Sequence, residues 1–184
     1  HIITCLVEGE FMQMEDVYRI DQGIERYMTK TQKKTADFME GCMELGGLLG
    51  DWQEDEIIEL KKYGHALGMA FQITDDIMDY RETAETTGKP VGNDLREGLL
   101  TYPLLSIVND GNKDKLLEDI KGLNNGGNEQ DIIDYVIAQG GIDNTLAVAD
   151  KYCKDALAAL AAVRDFPGKE FLVMAVENLA DRKV

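Results

Sequence analysis

Phe71-Gln72-Ile73-Thr74-Asp75-Asp76-Ile77-Met78-Asp79-Tyr80 is the stretch that decides the fold. It ends an apolar run from Glu56 to Tyr80 that contains no proline and no turn cluster. At about 3.6 residues per turn the run predicts one helix of about seven turns. Ile57, Leu60, Gly64, Leu67, Phe71, Asp75 and Met78 are spaced by three or four and share one face. The spacing therefore puts Asp75 on the apolar stripe. Asp79 follows Asp75 by one turn and Asp76 by three residues, so three carboxylates crowd one quadrant. The negative end of the helix dipole lies there too, which raises their mutual repulsion. Oxygen ligands that close suit a hard cation such as Mg²⁺, which takes one or two carboxylates and fills its octahedron with water and substrate phosphates. The alternative is a solvated acidic helix end, because D-D-x-x-D is a short pattern.

The 184 residues are enough for one domain with a real core. The formal net charge of −16 argues against nucleic acid as a partner and against electrostatic binding to anionic membranes. A diphosphate site would be a local basic exception. Cys5, Cys42 and Cys153 are odd in number and scattered, which reads as reduced thiols in a cytoplasm. No apolar run reaches the length of a membrane span. His1 falls in what reads as mid-helix, so a preceding part is expected upstream.

The remaining periodicity is helical throughout, and the fold class read from it is all-α. Ile2 to Tyr18 carries Ile3, Leu6, Val7, Phe11 and Met14 at helical spacing. Asp21 is a candidate N-cap for a helix from about Gln22 to Leu49. A polar loop, Arg81 to Gly98, contains Gly88-Lys89-Pro90. Leu99 to Val108 reads as a short helix with Pro103 in its first turn. Further helices are expected over Lys113 to Lys121, Asn128 to Gln139, Ile142 to about Val163, and Lys169 to Arg182, with Ala156 to Ala162 small enough for close packing. Lys30, Lys33 and Lys34 stand out against the acidic background. Lys30 and Lys33 can point to solvent, whereas Lys34 borders the stripe of Tyr27 and Phe38. Taken alone, such a lysine is a snorkelling side chain with its head in water. Together, an acidic cluster, a Lys-Thr pair and a Gly-Lys-Pro loop suit a metal-bridged phosphate ligand.

These segments resemble the trans-isoprenyl diphosphate synthases, the polyprenyl synthetase family. F-Q-I-T-D-D-I-M-D-Y is similar to the family's second aspartate-rich motif. T-G-K-P-V-G-N-D-L-R-E-G (Thr87 to Gly98) is similar to the segment after it, Y-M-T-K-T-Q-K-K-T-A (Tyr27 to Ala36) to its Lys-Thr motif, and G-E-F-M-Q (Gly9 to Gln13) to the preceding helix. The match runs in order from about Leu6 to Val108. The resemblance implies an isoprenoid synthase helical bundle around a central cavity, usually a homodimer, with residues 1–184 the C-terminal part of a single domain. It implies Mg²⁺-dependent head-to-tail condensation of isopentenyl diphosphate with an allylic diphosphate. It assigns the metal to Asp75, Asp76 and Asp79, diphosphate contacts to Lys34 and Lys89, the flank of the nascent cation to Thr35 and Gln72, and the border of the isopentenyl pocket to Phe71.

Two departures stand out. A first aspartate-rich motif and an arginine pair that binds isopentenyl diphosphate are not in this sequence and would lie upstream of His1, so this chain is expected not to turn over alone. Family members often carry a lysine after R-E-G, where this chain has Leu99; either Arg96 substitutes or one phosphate contact is absent. Rival readings are a class I terpene synthase, a non-catalytic subunit of a heteromeric prenyl synthase, and an acidic helical domain with no site. The all-aspartate set and the Lys34-Thr35 pair disfavour the first and the intact aspartates the second; the third predicts that Asp75→Ala leaves the response to Mg²⁺ unchanged.

Overall fold

A computed structural model describes residues 2–81 and 92–181. The described residues are helices joined by short turns, with no strand among them. Helix α1 spans Ile2–Glu15 and α2 spans Gly23–Thr31. A π-helical turn, Gln32–Ala36, leads without a break into α3, Asp37–Leu49. Then come α4 (Glu54–Arg81), α5 (Asn93–Glu97), α6 (Tyr102–Leu105), α7 (Lys113–Gly122), α8 (Glu129–Ala138), α9 (Gly141–Ala161) and α10 (Lys169–Asp181).

The 28-residue α4 is the axis of the molecule, about 42 Å long at 1.5 Å per residue. Glu54, Asp55 and Glu56 sit at its positive end, as the helix dipole favours. It packs along α3 on one side and α9 on the other. Two hydrophobic clusters share it. Leu60, Tyr63, Ala66 and Ala70 pack with Cys153, Ala156, Leu160 and Val176 around its first half. Met69, Ile73, Ile77 and Tyr80 pack with Tyr27, Leu104, Ile120 and Ile133 around its second half. Ala156 and Ala159 let α9 approach α4 closely, while Ala161 and Ala162 are exposed.

Several expectations change. Because α4 lies between two neighbours, its buried arc is wider than one stripe and is centred on Tyr63, Ala66, Ala70, Ile73 and Ile77. The line through Phe71 and Asp75 runs along the open edge. Asp75 is exposed, and Asp76 is the buried aspartate at 4% exposure. The helix expected from about Gln22 to Leu49 is present as a continuous helical run from Gly23 to Leu49, with a π-helical turn at the Lys-Thr pair that the spacing did not predict. Asp21 does not cap α2; Gln22 holds the N-cap position without a side-chain cap. The helix around Pro103 shrinks to Tyr102–Leu105, with Thr101 extended before it.

Candidate functional site

Two glycines let three segments converge. A Cβ on Gly9 of α1 would lie 2.8 Å from the backbone nitrogen of Lys34, and a Cβ on Gly68 of α4 would lie 2.6 Å from the Cα of Ala36. Only a residue without Cβ permits either approach. The π-helical turn is thereby held against α1 on one side and α4 on the other, and π-turns of this kind recur at functional sites. Lys34 Nζ donates to Gln13 Oε1 at 2.9 Å and pairs with Glu10 at 3.0 Å, both on α1. Thr35 Oγ1 donates to Gln72 Oε1 on α4 at 3.1 Å. Gln72 Nε2 then donates to Asp76 Oδ1 at 3.1 Å, and the Tyr27 hydroxyl donates to Asp76 Oδ2 at 2.5 Å. Thr35, Gln72, Asp76 and Tyr27 thus form one continuous hydrogen-bonded chain.

The third aspartate is held differently. Asp79 accepts from the backbone N–H groups of Asn93 at 3.2 Å and Asp94 at 3.3 Å. Gly92 N–H also donates to the Asp79 carbonyl at 3.1 Å. These bonds tie α5 to the end of α4 and bring Asp94 beside the aspartate group. A cleft of about 160 Å³ opens here, lined by Gln13, Lys30, Lys34, Gln72, Asp75, Asp76, Asp94 and Leu99 among others. Larger grooves lie between α7 and α8 and along α4 and α9, but they hold none of the site residues expected from sequence.

Burial pushes the Asp76 carboxyl up to about 6, against the hydrogen bonds from Tyr27 and Gln72. Burial and the nearby charge of Asp79 push Asp94 up to about 7. Burial raises Asp79 as well, against the backbone N–H groups of Asp94 and Asn93. Burial, with Asp76 adjoining, raises the Tyr27 phenol well above its ordinary value, so it stays a donor. Several carboxylates therefore face one cleft, with the nearby Lys34 ammonium engaged by Glu10. All offer hard oxygen donors; burial is the main cause of the raised values of Asp76, Asp79 and Asp94, with neighbouring carboxylates adding to it, and a divalent cation would favour their charged forms. The donor set fits Mg²⁺.

The structure does not gather Asp75, Asp76 and Asp79 into one tight ligand group. Among the described residues, the set with three ligand atoms within 4.8 Å of one another is Asp37, Glu40 and His65. That set lies outside the cleft, and Lys61 sits 3.6 Å from Glu40. Phe71 is exposed and does not line the cleft. Lys89 lies outside the described residues. Arg96 pairs with Glu129 at 2.5 Å and is not among the residues that line the cleft, whereas Leu99 is. Lys30, expected in solvent, is buried and lines the cleft; Lys33 is half-buried and pairs with Glu8 at 2.5 Å. Sequence reading passed over Tyr27, Lys30 and Asp94 as site residues. The Tyr27-x-x-Lys30-x-x-x-Lys34 spacing on one helical face was the available signal for the first two.

The polyprenyl synthetase family model matches residues 1–139. The chain is 33% identical over 175 residues to octaprenyl diphosphate synthase of Escherichia coli, covering 93% of this chain and 54% of that protein. It is 33% identical over 155 residues to heptaprenyl diphosphate synthase component 2 of Geobacillus stearothermophilus, covering 84% of this chain and 48% of that one. Among solved structures, heptaprenyl diphosphate synthase of Staphylococcus aureus superposes with a TM-score of 0.86 at 28% identity, over 100% of this chain and 58% of that one. A polyprenyl synthase of Caulobacter crescentus, complexed with calcium and isoprenyl diphosphate, gives 0.87 at 28% identity, over 100% of this chain and 57% of that one. The chain spans about half the length of the curated relatives it matches. With its all-helical architecture and its motifs in family order, the chain belongs to the polyprenyl synthetase family.

Proposed function

We propose that this chain carries the second aspartate-rich face of a prenyltransferase site, and that the protein condenses isopentenyl diphosphate with an allylic diphosphate head to tail. The observation that carries the reading is the Thr35–Gln72–Asp76–Tyr27 hydrogen-bonded chain beside Lys34, facing a cleft rich in carboxylates. The Caulobacter relative, solved with calcium and isoprenyl diphosphate, supports a divalent cation and a prenyl diphosphate as ligands. Asp75, Asp76 and Asp79 would hold Mg²⁺, which neutralises the diphosphate as a leaving group when bound.

The reaction breaks the allylic C–O bond. The isopentenyl double bond then attacks the allylic carbon, and a proton is lost, with the released diphosphate as base. In this chain, Tyr27 and Gln72 fix the Asp76 carboxylate in one rotamer. Gln13 and Glu10 hold the Lys34 ammonium, which would contact the diphosphate, a role the proposal also gives to Lys89. The oxygens of Thr35 and Gln72 would stabilise positive charge on the allyl group. Phe71 borders the isopentenyl pocket in the same proposal. Residues 1–184 act as the C-terminal part of one domain, since α9 and α10, beyond the end of α8, pack against the α4 helix that bears the aspartates.

Supporting assembly as a homodimer, α1 exposes Ile3, Val7, Phe11 and Met14 in one apolar line. The Geobacillus relative is named a component 2, which favours pairing with a different subunit as the second reading. A cytoplasmic location goes with the proposal; no helix of the described residues is long and apolar enough to cross a membrane.

The test is product analysis of the full protein with labelled isopentenyl diphosphate, a panel of allylic diphosphates and Mg²⁺. The expected product is a linear prenyl diphosphate longer than its allylic precursor, lost on chelation with EDTA and restored by Mg²⁺. A cyclic hydrocarbon, or elongation unaffected by EDTA, overturns the proposal.

A further inference from the structure

We propose that Lys30 supplies a second ammonium to the diphosphate subsite, the contact that Leu99 cannot make. The assignment rests on the functional reading above and deepens it. Lys30 lies one helical turn before Lys34, and both line the same cleft. Its side chain is only 10% exposed. An ammonium has three N–H donors, and a buried one is costly unless they are used. Lys30 Nζ makes one long hydrogen bond, to Gln22 Oε1 at 3.4 Å. Asp16 Oδ2 forms an ion pair with it at 3.8 Å, too long for a hydrogen bond, and has no hydrogen-bond partner of its own.

Lys30 is the most distant of the three cations paired with Asp16. Arg26 Nε already binds Asp16 Oδ1 at 2.6 Å, and Arg19 lies 3.5 Å from the same oxygen. Lys30 is not seated as a cation over an aromatic face at close range, since Nζ is 5.9 Å from the Tyr27 ring centroid. Burial holds the Lys30 ammonium below the ordinary lysine value, against the pull of Asp16 and Asp76. Lys34 already has Glu10 and Gln13 as close partners, whereas the Lys30 ammonium keeps unused donors in the same cleft. A diphosphate offers several acceptor oxygens that would use those donors. Elsewhere on the cleft wall, Leu99 is apolar, and Arg96 is turned to Glu129. Among the described residues, the cationic side chains on the cleft wall are therefore Lys30 and Lys34.

The experiment is calorimetric titration of inorganic diphosphate into the full protein in the presence of Mg²⁺. Lys30→Met is expected to weaken binding about 10- to 100-fold, the effect of one charge-assisted hydrogen bond. Adding Leu99→Lys to that variant is expected to recover about tenfold or more, because a cation returns to the cleft. Leu99→Lys in the otherwise unaltered protein is expected to change affinity by less than about threefold, since the second ammonium is already present. Lys30→Met binding within about threefold of the parent, a double variant as weak as Lys30→Met, or a tenfold gain from Leu99→Lys alone each overturns the assignment. The Leu99→Lys arm decides the matter even if Lys30→Met does not fold. An unaltered protein that binds no diphosphate overturns the functional reading, and this assignment with it.

Discussion

Asp76→Asn is expected to lower prenyl transfer by about 10²- to 10³-fold, as losing one preorganised charge-stabilising group does, while leaving the ligand-free protein as stable as its parent or more so. The substitution keeps the shape of the side chain. Tyr27 can still donate to the amide oxygen. Gln72 can turn over so that its own oxygen accepts from the new amide, and Thr35 can reverse its role because a hydroxyl both donates and accepts. The hydrogen-bonded chain thus re-forms without the charge. The desolvation that pushes the Asp76 carboxyl up to about 6 no longer applies to a neutral group. Steady-state kinetics and thermal unfolding of the same preparation check both halves. Turnover within about threefold of the parent contradicts the role given to Asp76. A large loss of stability contradicts the account of its burial.

Without divalent cation, the protein is expected to lose stability as pH rises from about 4 to about 7. The Asp76 carboxyl is raised to about 6 and Asp94 to about 7 in the folded state. Both return to about 3.9 in the unfolded chain. Between those values the folded state binds more protons, so the contribution is fully present below about 4 and is lost as pH passes the folded values. Two units on Asp76 alone correspond to about 3 kcal/mol at 1.36 kcal/mol per unit. The charges around Asp76 and Asp94 are Asp75, Asp79, Glu97 and the Lys30 ammonium, and the acidic ones sharpen the trend. Mg²⁺ with diphosphate neutralises the carboxylates and is expected to flatten the slope. Urea unfolding midpoints measured across this pH window, with and without both ligands, read it directly. Stability that is level or rises with pH in the ligand-free protein contradicts the electrostatic account.

Much of this was legible in the residues. The uninterrupted run to Tyr80 gave α4 to within two residues at its start and one at its end. The Lys34-Thr35 pair and Gln72 were read from two separate motifs, and Thr35 and Gln72 do meet. What periodicity could not supply was the number of neighbours around α4. A helix packed on two sides buries a broad arc, so the single stripe through Phe71 and Asp75 pointed to the wrong aspartate. Asp94 enters through hydrogen bonds that span 15 residues and depend on how α5 returns to α4, which no local pattern encodes. Lys30 looked like a solvent lysine because helical spacing alone does not reveal that Asp16, Gln22 and the wall around Leu100 close over it. The π-helical turn was hidden for a similar reason. Its sequence is compatible with ordinary helix, and the close packing of Gly9 and Gly68 accompanies the altered turn.

The most direct measurement is the thermal unfolding of the protein with Mg²⁺ alone, with diphosphate alone and with both, beside an Asp75→Ala/Asp79→Ala variant. A ligand that binds only the native state stabilises it by about 2.7 kcal/mol at a hundredfold excess over its Kd. For a domain of this size that is about 5–10 °C in Tm. The predicted result is a shift of that order that needs metal and diphosphate together and disappears in the variant. A cooperative transition that neither ligand moves, or a shift of equal size in the variant, contradicts the claim that these aspartates hold a metal-bridged diphosphate.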